Sequence, residues 1–239
     1  FFLSLAGEER AAQRLLAWVA AHNFSPEGDF RAPERKAHTP FHQEGWPVYG
    51  NAWLIQGAHR LGRWDLSLKG MAYTLRYRTS SGGFYSLDEG QPYLEPVCTS
   101  WGALAALATG HVAEARQAGA LLTRWVESQP DPQRFYTRMD LEGHLVTDVP
   151  AGAALRYFVD AHSTQQIYYN PGIALIFLCH LYRASGEAQF LDACRKILEF
   201  TERCAEDVYR FPPSGKLGMG AALLYAITGN PTARRAALT

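Results

Sequence analysis

A chain of 239 residues with 47% hydrophobic content is long enough to bury a full core as one all-helical domain. Lys+Arg and Asp+Glu are equal at 23 each, which excludes the concentrated basic surface that nucleic acid or an anionic membrane requires. The longest apolar runs, such as 172–181, fall short of the roughly 18–20 residues that span a bilayer.

The first predicted helix covers 8–22, where Ala11, Leu15, Trp18, Val19 and His22 recur at three- to four-residue spacing. It stops at Asn23-Phe24-Ser25-Pro26-Glu27-Gly28 and gives way to a proline-rich loop over 31–47 that holds His38 and His42. Four helical hairpins follow: 51–61 with 64–78, 99–109 with 112–128, 171–184 with 187–203, and 216–228 with 231 onward. Each turns at a glycine, namely Gly62, Gly110, Gly186 and Gly229.

The first member of each hairpin is almost uncharged, as in the stretches 102–108 and 218–224. The second carries charge on one face, as with Glu114, Arg116, Arg124 and Glu127. Helices apolar all round are buried, and amphipathic ones are peripheral. One hairpin cannot bury its apolar face alone, so stacked hairpins share a core. The expected fold is therefore all-α: an α/α toroid with inner helices ringed by outer ones, in a single domain over 1–239. Four inner stretches are two fewer than a six-hairpin ring needs, which favours an incomplete ring belonging to a longer polypeptide. The four cysteines (Cys98, Cys179, Cys194 and Cys204) read as reduced thiols, three of them in apolar helices. Phe1-Phe2-Leu3 lacks the basic region and cleavage site of a signal peptide, and a cytoplasmic location is expected.

After each outer helix comes a turn closing on an aromatic: Gly28-Asp29-Phe30, Gly82-Gly83-Phe84-Tyr85, Arg134-Phe135-Tyr136 and Arg210-Phe211. Gly82-Gly83-Phe84, Tyr93-Leu94-Glu95-Pro96, the helices 100–107 and 122–129, and Phe135 together resemble one repeat of the terpenoid cyclase and protein prenyltransferase toroids. The resemblance implies that fold and an active site in the central cavity. The triterpene cyclase Asp-Xaa-Asp-Asp motif and the Asp-Asp-Xaa-Xaa-Asp magnesium motif do not occur. Asp192-Ala193-Cys194 matches the Asp-Xaa-Cys spacing of the prenyltransferase zinc site, but no matching histidine follows it. Cys98 with Cys179-His180 offers the letters of another zinc set at different depths of the helices. Neither metal nor other cofactor is expected.

Segments leading into the inner helices of such a ring open on one end, where helix N-termini focus partial positive charge. The residues so gathered define the candidate site. Asp160-Ala161-His162 is the leading acid/base pair, because residues two apart in an extended segment point the same way. Glu95, held extended by Pro96, and Tyr169 complete the catalytic candidates. Substrate contacts are expected from His42, Glu44, Tyr49, Asn51, Trp53, Tyr93, Trp101, Tyr168, Asn170 and Lys216. An aromatic content of 13% suits a cavity wall as well as a wide core.

The expected function, carried by the resemblance, is a cyclase or isomerase acting by acid/base chemistry on a small hydrophobic terpenoid or polyketide chain. The same positions would serve a carbohydrate-active α/α-barrel enzyme: a glycoside hydrolase, polysaccharide lyase or sugar epimerase. A non-catalytic helical-repeat scaffold is the third reading. No nucleic-acid partner or membrane span is expected, and a homodimer is left open.

Overall fold

The computed structural model describes residues 1–31 and 45–239. His38, His42 and Glu44 lie outside the described residues. The described residues are predominantly helical, with two short antiparallel strand pairs among them. A short helix α1 (Phe2–Leu5) and α2 (Glu9–His22) precede the hairpins. The hairpins are α3 (Tyr49–Arg60) with α4 (Trp64–Thr74), α5 (Pro96–Ala108) with α6 (Val112–Glu127), α8 (Tyr169–Ser185) with α9 (Ala188–Thr201), and α10 (Gly215–Thr228) with α11 (Pro231–Leu238). A further single turn, α7 (Ala154–Tyr157), sits in the long connection between α6 and α8.

The boundaries follow local chemistry. Pro96 opens α5, where its missing N–H costs nothing. Gly186 and Gly229 end α8 and α10 in left-handed conformation at φ 72° and 68°. Asn230 caps α11 by accepting from the Thr232 amide at 2.8 Å. The predicted stretch 64–78 tightens at its end into a 3₁₀ turn over Leu75–Tyr77.

First members pack on one another in succession: α3 on α5, α5 on α8, and α8 on α10. Each second member lies against its own partner, and α6 also meets α9. Helices α5 and α8 are buried over most of their surface, as their lack of charge requires. Helix α10 departs from that expectation. Leu217, Ala221 and Leu224 are buried, whereas Ala222, Tyr225 and Ala226 on its other face are exposed.

The α8–α10 contact is set by two glycines. A Cβ at Gly172 would stand 2.5 Å from the Leu217 amide nitrogen, and one at Gly220 would stand 2.8 Å from Leu175 Cγ. Backbone cannot yield as a side chain can. In an open helix, Gly→Ala gains about 1 kcal/mol of propensity. Here overpacking of about 1–3 kcal/mol opposes and exceeds that gain. Gly172→Ala is therefore expected to lower the urea midpoint; an unchanged or raised midpoint would remove the close approach as a determinant of the packing.

Two features absent from the sequence reading shape the site. Strands β1 (Tyr85–Asp88) and β2 (Gln91–Leu94) form a hairpin whose turn residues Glu89 and Gly90 both have positive φ, the pattern that tight two-residue hairpins require. Leu94 then exchanges both backbone hydrogen bonds with Met139, at 3.0 and 2.9 Å. Strands β3 (Arg134–Tyr136) and β4 (Phe158–Asp160) pair over the end of α6. The Gln129 amide clamps that pair, accepting from the Tyr136 N–H at 2.7 Å and donating to its carbonyl at 3.0 Å.

Candidate functional site

Two neighbouring cavities lie beside the first members of the hairpins, α3, α5, α8 and α10. The larger, about 480 Å³, is lined by Tyr49, Trp53 and Leu54 of α3, Trp101 of α5, Ile176 of α8, and Lys216 and Met219 of α10, with Phe1 and Phe2 alongside. Tyr49 and Trp53 are one helical turn apart and share a face, as do Lys216 and Met219. The Trp53 and Trp101 rings lie 3.9 Å apart between centroids, and Tyr49 meets Trp101 edge-on at 6.0 Å. Lys216 Nζ stands 6.0 Å from the Tyr49 ring centre. An apolar body fits here, with a cation and aromatic faces around it.

The smaller cavity is a polar chamber of about 110 Å³, bounded by Trp46, Asp88, Tyr93, Glu95, Arg138, Arg156, Tyr169 and Asn170. Its wall toward the aromatic cavity is itself aromatic. Trp46 lies 5.8 Å from Tyr49 and 5.9 Å from Tyr169 between ring centres. Tyr169 lines the chamber edge-on against Trp46, and burial together with the nearby Glu95 raises its pKa.

Glu95 is the centre of this chamber. Its backbone is extended at φ −152°, as a residue before proline must be, and its side chain turns inward with only 6% exposure. Oε1 accepts from Trp46 Nε1 at 2.6 Å and from the Tyr93 hydroxyl at 3.1 Å. Burial pushes its pKa above the usual carboxylate range, while Ser86, Trp46, Tyr93 and Arg138 oppose that rise without cancelling it. The Ser86 hydroxyl is near enough to contribute, although it makes no hydrogen bond of good geometry. Both of these donors lie on Oε1. Glu95 is thus a buried carboxyl whose ionised form already has hydrogen-bond donors.

The Leu94–Met139 pairing delivers Arg138 to this chamber. Its guanidinium stacks 3.8 Å from the Tyr93 ring centre, and it donates to Asp88 at 2.6 Å and to the Tyr157 hydroxyl at 2.8 Å. Arg156 approaches the same Asp88 at 3.6 Å. Cys98, one turn into α5, is pushed up to about 12 by burial and the nearby Glu95, and so remains a thiol.

Eight of the residues expected from sequence come together. Tyr49, Trp53, Trp101 and Lys216 line the aromatic cavity; Tyr93, Glu95, Tyr169 and Asn170 line the chamber. Four lie elsewhere. Asn51 is fully buried and committed to the scaffold, accepting from the Phe30 N–H and donating to Asp29 and the Pro47 carbonyl. Tyr168 is buried and donates to Asp207 at 2.9 Å. Asp160 and His162 line neither cavity. The Asp160 carboxylate accepts from the His162 backbone N–H at 2.9 Å, closing a turn, and the imidazole is exposed. His42 and Glu44 fall outside the described residues. Trp46, Asp88, Arg138 and Arg156 were not singled out by sequence, because a loop returning from another part of the chain leaves no local periodicity.

Asp192, from the Asp-Xaa-Cys spacing, is exposed and paired with Arg195, whereas Cys194 is buried facing Cys179. Among the described residues, no three His, Cys, Asp or Glu side chains converge as metal ligands. No described helix is long and apolar enough to cross a membrane. Compared with known proteins, the chain matches no family model and no curated protein.

Proposed function

We propose that the protein is a cyclase- or isomerase-type enzyme for an apolar, unsaturated chain, with the terpenoid-cyclase-like toroid as its architecture. One observation carries this reading: the buried carboxyl of Glu95, its pKa raised by burial, stands behind the aromatic wall of an apolar cavity. In the cavity the chain lies against Trp53, Trp101 and Tyr49. Proton transfer from Glu95 to an alkene carbon, relayed by the Tyr169 hydroxyl, leaves a carboxylate and a carbocation. The Trp46 and Tyr93 donors receive the carboxylate charge, and ring faces stabilise the cation. Bond closure or migration follows. Loss of a proton from a neighbouring carbon to Glu95 restores the acid, so the product is an isomer of the substrate.

A second reading has one observation in its favour: Asp88 and Glu95 place two carboxylates in one chamber, as glycoside chemistry requires. Asp88, however, is already paired with Arg138 and Arg156, which weakens it as a base.

Tryptophan fluorescence titration with an apolar chain such as 1-decanol tests the first reading. Trp53→Ala and Trp101→Ala are each expected to weaken binding by about tenfold or more, since a buried aromatic contact carries about 2 kcal/mol. Unchanged affinity in both variants, or preferential binding of an oligosaccharide, would overturn it.

A further inference from the structure

The aromatic cavity carries a charge that the protein leaves unanswered. Lys216 is the one charged side chain among its described lining residues, and no carboxylate, amide or imidazole stands with it. The lysine is half-buried, and among the described residues it makes no ion pair and no hydrogen bond. Its Nζ stands over the Tyr49 ring at 6.0 Å, the outer limit of a cation–π contact. The Tyr49 hydroxyl likewise has no hydrogen-bond partner among the described residues. Gly215 also lines the cavity, in the first turn of α10, where backbone N–H groups have no partner within the helix. The positive end of that helix therefore falls on the same side as the lysine. These groups all donate, and the cavity holds no strong acceptor to receive them.

We infer that the aromatic cavity binds the anionic end of its ligand at Lys216, making the substrate class an apolar monocarboxylic acid in place of a neutral hydrocarbon. The inference rests on the proposed apolar-chain reading and deepens it. The carboxylate accepts from Lys216 Nζ, with the Tyr49 hydroxyl and the start of α10 beside it. The apolar body lies against Trp53, Trp101 and Met219. Lys216 and Met219 are three residues apart on α10 and line one cavity, so the polar and apolar parts of the site are continuous along that helix. A single carboxylate balances a single ammonium. A phosphate ester, with close to two negative charges, would leave part of its charge uncompensated against apolar walls. The charge also bears on the chemistry. An unpaired ammonium sharing a cavity with a developing carbocation would oppose it, and a carboxylate at Lys216 cancels that repulsion.

Decanoate, decyl phosphate and 1-decanol share one chain and differ in charge, so their affinities for the intact protein at neutral pH test the assignment. Tryptophan fluorescence reads the binding. Decanoate is expected to bind at least about tenfold more tightly than 1-decanol, because hydrogen bonds between charged groups are the strong ones. Lys216→Gln removes no hydrogen bond within the protein, so it does not threaten folding. It is expected to bring the decanoate-to-decanol ratio toward one, and Lys216→Arg is expected to keep the preference. Equal binding of decanoate and 1-decanol by the wild-type protein would overturn the head-group assignment and leave the apolar-chain reading intact. Binding of none of the three would overturn both. A preference for decanoate that survives Lys216→Gln would place the anion elsewhere and overturn the assignment. Tighter binding of decyl phosphate than of decanoate would overturn the carboxylic-acid class.

Discussion

Glu95→Gln is expected to abolish proton transfer while leaving the protein folded and able to bind its ligand. Glutamine keeps the shape of the side chain, and its carbonyl can still accept from Trp46 Nε1 and the Tyr93 hydroxyl. It has no acidic proton to give. Loss of a positioned general acid costs about 10²–10⁴ in rate. Deuterium uptake from D₂O into a polyene, read by mass spectrometry, measures the step directly. Uptake by Glu95→Gln at the wild-type rate would remove Glu95 from the acid role.

The same substitution has a signature in stability. The folded pKa of Glu95 is raised by burial, above an unfolded value of about 4.3. A raised carboxyl contributes stability that is full below the unfolded value and is lost as pH rises through the folded one. The wild-type protein should therefore lose stability across that window. Glu95→Gln, which does not ionise, should be spared that loss and gain relative to wild type as pH rises. Parallel pH dependences of the two denaturation midpoints would mean that Glu95 is charged when folded.

Asp29→Ala is expected to be the most destabilising single change, at about 3–5 kcal/mol, the cost of stripping a partner from a buried ion pair. Asp29 is 3% exposed, and Arg31 meets it at 2.9 Å with a side chain that is itself largely buried. The Arg31 backbone N–H, the Asn51 amide and the Tyr73 hydroxyl also donate to this carboxylate. The cluster ties the turn after α2 to α3 and α4, and so sets where Tyr49 and Trp53 stand. With total stabilities of about 5–15 kcal/mol, the loss is a large share. The carboxyl is held well below the usual range by Arg31 and Asn51, against the opposing effect of burial. Its contribution is therefore complete above the unfolded value and disappears as pH falls toward the folded one. Thermal melts of wild type and variant should differ most near neutrality and converge in acid. A variant within about 1 kcal/mol of wild type at neutral pH would contradict the account of this cluster.

Much of the helical framework was legible in the sequence, because its signals are local. Gly186 and Gly229 stand where a left-handed residue must end α8 and α10. The uncharged stretch 102–108 lies in α5, buried as its composition demands, whereas 218–224 lies in α10, which exposes one face. Starts were read late by two or three residues, since Pro96 and Tyr169 already lie inside their helices. The aromatic half of the site was legible for the same reason, as Tyr49, Trp53 and Trp101 sit in the first two turns of α3 and α5. The charged half was not. Arg138 reaches Tyr93 only because Met139 pairs with Leu94, a contact between residues 45 positions apart that no periodicity announces. Asp160 and His162 show the converse: two residues of suitable chemistry and spacing can be drawn into a turn by a backbone hydrogen bond.

The central claim is that the cavity between α3, α5, α8 and α10 is a site for an apolar chain. A crystal of the protein soaked with 10-bromodecanoate, with the bromine located by its anomalous scattering, tests this most directly. The account predicts bromine in the space between Trp53, Trp101 and Met219. Bromine found only on the outer surface, against Leu15 and Trp18 of α2, with both cavities holding water alone, would contradict it.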